Sequence, residues 1–147
     1  MSYRPVRPAT PADLDALAAV WRRAVEATHD FLTPADIAFL EPRVREQYLP
    51  ALEVLIAEEA GGRPLGFIGM DGAAIEMLFV DPDEHGRGVG TRLLDAVADR
   101  APLTVDVNEQ NPAAHGFYRA RGFVETGRSP LDGEGRPFPL VHLRRER

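Results

Sequence analysis

At 147 residues, with 44% hydrophobic and 27% charged residues, the chain suits one soluble globular domain spanning 1–147 and is too short for two. No apolar run approaches the ~20 residues of a membrane span, and a net charge of −6 with scattered arginines speaks against a nucleic-acid surface. The absence of cysteine excludes disulfides, zinc–thiolate sites and a thiol nucleophile, and the absence of lysine among the 17 basic residues excludes a P-loop and Schiff-base chemistry.

No metal site is expected, and no membrane partner. The N-terminus lacks the apolar stretch of a secretory signal, so the expected address is the cytoplasm. Tyr3 to Arg7 reads as a short first strand. "TPAD" then occurs twice, at Thr10–Asp13 and Thr33–Asp36. Each has Thr as N-cap, Pro at the first helical position and an acid at the third, a helix start in both cases. The first helix is expected over Pro11–Ala27, with Leu14, Leu17, Trp21 and Val25 on its apolar stripe, and the second over Pro34–Tyr48. Between them, "THDFL" is a loop carrying His29, Asp30 and Phe31.

After Pro50 the period changes. Val54–Glu59, Leu65–Met70 and Ala73–Val80 read as a three-strand antiparallel meander. A glycine-rich turn follows, then a helix to about Arg100 and a strand at Leu103–Val107. Asn111 and Pro112 open a short helix that Gly122 stops. "FVETGR" and Leu140–Arg144 are strands, with a Pro/Gly-rich loop between them. The order β-α-α-β-β-β-α-β-α-β-β predicts an α/β fold with a mixed central sheet flanked by helices. The strand after the glycine helix is expected to run parallel to the strand before it.

"DEHGRGVGTRLLDAV" places Gly86, Gly88 and Gly90 at the mouth of a helix. Each glycine inside a helix costs about 1 kcal/mol against alanine, so the cluster asks for a reason. The first turn of a helix presents unpaired N–H groups and the positive end of the dipole, and glycines let a phosphate approach them. Arg87 and Arg92 would add charge there. The spacing does not fit the dinucleotide fingerprint: the sixth position from Gly86 is Thr91, and from Gly88 it is Leu93.

"LFVDPDEHGRGVGTRLL" resembles the acyl-CoA loop of the GNAT superfamily of N-acyltransferases, Gln/Arg-x-x-Gly-x-Gly/Ala, which here reads His85-Gly86-Arg87-Gly88-Val89-Gly90. His85 departs from the usual Gln or Arg. "VNEQNPAAHGFYRARGF" resembles the family's N-x-x-A-x-x-F-Y-x-x-x-G-F segment, with Asn111, Ala114, Phe117, Tyr118, Gly122 and Phe123 in place. The element order agrees over nearly the whole chain. "THDFL" and "GRSPLDGEGRPFPLVHL" are similar to a branch of small bacterial acetyltransferases.

The resemblance implies a GNAT-like fold and direct transfer of an acetyl group from acetyl-CoA to the amine of a small molecule, a peptide N-terminus or a lysine, by a monomer or homodimer. It implies a phosphate cradle at His85, Gly86, Arg87, Gly88, Val89, Gly90 and Thr91, and a pantetheine arm along Leu78, Phe79 and Val80. Asn111 has two readings, a bond to that arm and a helix cap. Tyr118 is the implied general acid, protonated at neutral pH because its ordinary pKa is near 10. For the base, alternation places Glu76 with Leu78 and Val80, opposite Ile75, Met77 and Phe79, where apolar neighbours would raise its pKa. His29, with Asp30 to orient it and Phe31 beside the acceptor, is the second candidate; Asp106 is the third, and a water chain is the remaining route. His115 is expected to face solvent, and His142 to be a packed or surface residue. The alternative to an enzyme is an acyl-CoA sensor of the same fold. A nicotinamide or methyl-donor enzyme would need a different glycine spacing.

Overall fold

The computed structural model describes residues 4–147. At Pro11–Asp13 the chain makes one 3-10 turn and runs on into α1 (Leu14–Thr28), with the Thr10 N–H donating to Asp13 Oδ2 at 2.8 Å. The second Thr-Pro-Ala-Asp opens α2 (Pro34–Arg43) on a reciprocal capping box, the Asp36 N–H donating to Thr33 Oγ1 and the Thr33 N–H to Asp36 Oδ2. This helix continues through a π-helical stretch, Val44–Tyr48, into α3 (Leu49–Ala51). Pro50 accounts for the widened turn. It has no N–H to give, and its ring would strike the carbonyl four residues back. The Leu49 N–H reaches instead to Val44 O.

Seven strands form one sheet in the order β1-β2-β3-β4-β5-β7-β6. They are β1 (Arg7–Pro8), β2 (Glu53–Glu58), β3 (Pro64–Asp71), β4 (Ala74–Val80), β5 (Leu103–Asn108), β6 (Val124–Ser129) and β7 (Leu140–Arg145). The first strand is shorter than expected, and Tyr3 lies outside the described residues. β4 and β5 are parallel, as the intervening helix requires; the other neighbours are antiparallel. That helix, α4 (Val89–Ala96), stops before the expected Arg100, where the chain tightens into a 3-10 turn at Ala98–Arg100. α5 (Pro112–Ala120) follows β5.

The helices cover the two faces of the sheet unequally. On one face Leu17, Trp21, Val25 and Ile37 pack against Ile56, Phe67 and Met77. On the other, Val89, Leu93 and Tyr118 pack against Ile68, Val105 and Leu143. No residue of β5, β6 or β7 enters the first cluster, and among the residues of those strands that point to its side Thr104, Asp106 and Arg144 are exposed and Asn108 and His142 half-buried. Half of that face is therefore open.

Candidate active site

The site begins where strand pairing stops. β4 and β5 share two register pairs, Ala74–Thr104 and Ile75–Val105, and then part. From Glu76 to Val80 the β5-facing edge of β4 has no strand partner among the described residues. Two cavities fill the gap. A cleft of about 540 Å³ runs from Leu78, Phe79 and Val80 to the glycine loop and α5. A second of about 190 Å³ lies between Glu76–Phe79 and Val105–Asn108. They share six residues: His29, Leu78, Phe79, Asn111, Ala114 and Tyr118.

A β-bulge at the same point changes the reading of Glu76. Met70 pairs with Ile75 and Gly69 with Met77, so Glu76 is the extra residue. Strict alternation fails there. Ile75 joins Leu78 and Val80 on the α4–α5 face, while Met77 and Phe79 pack under α1. Glu76 is exposed rather than enclosed by apolar side chains. Its pKa is still raised, first by partial loss of solvent and then by the charges of Asp106 and Asp71.

The glycine loop lines the larger cleft with Glu84, His85, Gly86, Gly88, Val89, Gly90 and Thr91. Its glycines answer two different demands. Gly86 and Gly88 sit at φ 77° and 79°, a left-handed backbone that other residues adopt at a cost. Gly90 is buried in α4, and a Cβ there would come within 2.9 Å of Phe117 Cζ. Its role is close packing of α4 on α5. Behind the loop, the buried Asp81 carboxylate accepts from Arg23 of α1 at 2.8 Å and from the Asp83 N–H at 3.0 Å, tying the loop to the first helix.

Neither expected loop arginine enters the cleft. Arg87 is exposed and lies 3.5 Å from Glu84; Arg92 donates to Arg4 O at 2.8 Å. Arg121, which sequence reasoning passed over, lines the cleft instead. Its guanidinium lies 3.8 Å over the Phe117 ring, and Nε donates to Thr91 Oγ1 at 2.9 Å, joining the end of α5 to the start of α4. Its place beside the expected Gly122 stop was the available signal.

Tyr118 is 5% exposed, packed edge-on against Phe117 and Phe123. Burial raises its pKa above the ordinary tyrosine value, and its hydroxyl has no hydrogen-bond partner among the described residues. His29 ends α1. The Thr28 hydroxyl gives its proton to Ala24 O at 2.8 Å, so its oxygen accepts from His29 Nδ1 at 2.7 Å. This leaves the neutral ring a lone pair on Nε2. Asn111 Nδ2 faces that nitrogen at 3.5 Å, while Asn111 Oδ1 accepts the Ala114 N–H as a helix cap. Burial lowers the His29 pKa against the opposing charge of Asp30. Asp30 and Phe31 line neither cavity; the Phe31 ring stacks at 5.2 Å from His29.

Two further assemblies were not legible in the sequence. The β6–β7 loop crosses to the first helices: Phe138 meets Phe31 at 5.7 Å, Arg136 pairs with Asp36, and the Tyr48 hydroxyl donates to Glu134. On the open face, Asp106 Oδ1 accepts from His142 Nδ1 at 2.5 Å, and His142 Nε2 lies 2.7 Å from Ser129 Oγ. His115 is half-buried with its Nε2 enclosed, not solvent-facing as expected. No described helix is long and apolar enough to cross a membrane.

The acetyltransferase (GNAT) domain family matches residues 26–139. The peptidyl-lysine N-acetyltransferase YjaB of Salmonella typhimurium is 45% identical over 130 residues, covering 88% of this chain and 89% of its own. The solution structure of apo-form YjaB from Escherichia coli matches with a TM-score of 0.89 at 40% identity, over 98% of this chain and 97% of that one. PaiA N-acetyltransferase from Thermoplasma acidophilum, in complex with coenzyme A, matches with a TM-score of 0.81 over the whole of both chains. At 20% identity it speaks for the fold alone. This chain belongs to the GNAT acetyltransferases and moves an acetyl group from acetyl-CoA to an amine acceptor.

Proposed function

We propose that the acceptor is the ε-amino group of a peptide lysine, that acetyl-CoA occupies the larger cleft, and that the amine enters through the smaller cavity. One observation carries this reading: Tyr118 and His29 lie on the wall that the two cavities share. The name of the YjaB relative supports the acceptor class.

On the donor side, the first amides of α4 and the left-handed loop before it supply N–H groups to a diphosphate. Arg121 adds the positive charge expected from Arg87 and Arg92. The unpaired edge of β4 from Leu78 to Val80 offers main-chain groups to an extended amide-bearing arm, as a sheet edge accepts an added strand. His85, in this arrangement, flanks the cleft through its backbone.

A lysine amine is mostly protonated at neutral pH, its ordinary pKa being about 10.4. It must lose that proton before the nitrogen attacks the thioester carbonyl. His29 Nε2 is placed to accept it, since the ring is neutral and the 3.5 Å Asn111 contact is long enough to yield to a closer donor. As the C–N bond forms and the C–S bond breaks, the Tyr118 hydroxyl gives its proton to the thiolate. Burial favours that role, because it keeps the phenol protonated. Glu76 lines only the acceptor cavity and is the weaker candidate for the base. A cytoplasmic address and a single domain fit a chain without cysteine.

The test is release of CoA from acetyl-CoA in the presence of lysine peptides. Turnover that disappears in Tyr118→Phe, with acetyl-CoA still bound, is the expected result. Tight acetyl-CoA binding without release on any amine would make the chain a sensor instead.

A further inference from the structure

The open half of the sheet carries an uncompensated charge next to the acceptor cavity. Elsewhere this chain pairs its acids with arginine, at Glu41, Glu53, Glu58, Asp81 and Glu84 among others. Glu76 and Asp106 have no arginine partner among the described residues. They are the first residues beyond the last β4–β5 pair, Ile75–Val105, so the strands place them side by side where the cavity opens. Asp71 adds a third negative charge nearby.

Asp106 is held in place. Its carboxylate accepts from His142 Nδ1, and the other ring nitrogen is engaged by Ser129, so a row of polar groups crosses β5, β7 and β6. Two polar groups in the same cavity await a ligand independently of this pair. Among the described residues, the Tyr118 hydroxyl, on a side chain 5% exposed, has no hydrogen-bond partner, and Asn108 Oδ1 is buried without one.

A carboxylate pair against the reacting nitrogen would hold it as ammonium and oppose attack. The pair suits a second cation better. Glu76 is exposed and the Asp106 side chain is 56% exposed, whereas Tyr118 is buried. A lysine side chain reaching Tyr118 would therefore leave its peptide backbone, and the neighbouring residue, at the two carboxylates.

We propose that Glu76 and Asp106, the latter positioned by His142, form a cation subsite that selects peptide lysines with an arginine or lysine beside them. This rests on the peptide-lysine reading above. Glu76 and Asp106 bind the flanking guanidinium or ammonium, and His142 acts through Asp106.

The experiment uses capped peptides with one lysine flanked by alanine, arginine or glutamate, read as CoA release. The arginine-flanked peptide should exceed the alanine-flanked one in kcat/KM by about fivefold, the size of one exposed ion pair. The gain should lie in KM rather than kcat, and it should shrink in high salt. In Asp106→Asn the ratio should fall towards one. His142→Asn, which keeps a donor near the Nδ1 position, should preserve the preference that His142→Leu loses. Equal turnover of all three peptides, or a preference intact in Asp106→Asn, would overturn the subsite while leaving lysine acetylation standing. No CoA release from any peptide would overturn both.

Discussion

In Tyr118 and His29, the proposed acid and base, burial favours the protonation state that each role needs. Removing water disfavours the charged form of each, so the phenol keeps its proton and the imidazole stays without one. Replacing the hydroxyl in Tyr118→Phe should lower kcat by about 10²- to 10⁴-fold with acetyl-CoA affinity little changed. Because the His29 pKa lies below 6.5, the ring becomes charged only as pH falls through that lower value. The acid limb of kcat/KM should therefore lie below pH 6.5 in the wild type and persist in Glu76→Gln. It should vanish in His29→Ala, and a limb surviving there would assign the base elsewhere. The Asn111 cap was legible in the sequence as a helix start, and Tyr118 was singled out there by the family resemblance. His142 and Arg121 were not. Their placements come from strand register and from a ring beneath a guanidinium, which no local pattern encodes.

At the scale of elements, the order of strands and helices could be read from period and capping, including the parallel β4–β5 pair. The parting of that pair and the bulge at Glu76 could not, since the first depends on how residues some 30 positions apart are aligned and the second on a one-residue slip within the β3–β4 hairpin. The glycine loop divides in the same way. Its left-handed positions were legible as glycines, but the reason for Gly90 is a neighbour on another helix. Gly90→Ala would press on the Phe117 ring that supports Arg121, and should destabilise the fold by about 1–3 kcal/mol while weakening acetyl-CoA binding. Gly88→Ala should cost about 1–2 kcal/mol from the left-handed backbone alone. Thermal melts with and without acetyl-CoA separate the two effects; equal loss of affinity in both variants would contradict the packing role given to Gly90.

Across the described residues, the hydrophobic core under α4 and α5 spans one face of the sheet from β2 to β7 and leaves β6 outside it, while the core under α1 and α2 reaches only from β2 to β4 on the other face. In the proposed arrangement the acceptor meets an open, acidic half-face beside a wall whose far side holds the donor. Donor binding to the folded chain should raise the melting temperature, with about 2.7 kcal/mol gained at one hundred times Kd, and NAD should give no such rise. The most direct test of the two-sided arrangement is a map of backbone amide shifts, taken first with coenzyme A and then with a lysine peptide added. Coenzyme A should move the amides of Leu78–Val80 and of residues 86–91, and the peptide should then move Glu76 and residues 106–108. Coenzyme A shifts that leave the glycine loop still, or a peptide that displaces coenzyme A from the same amides, would contradict it.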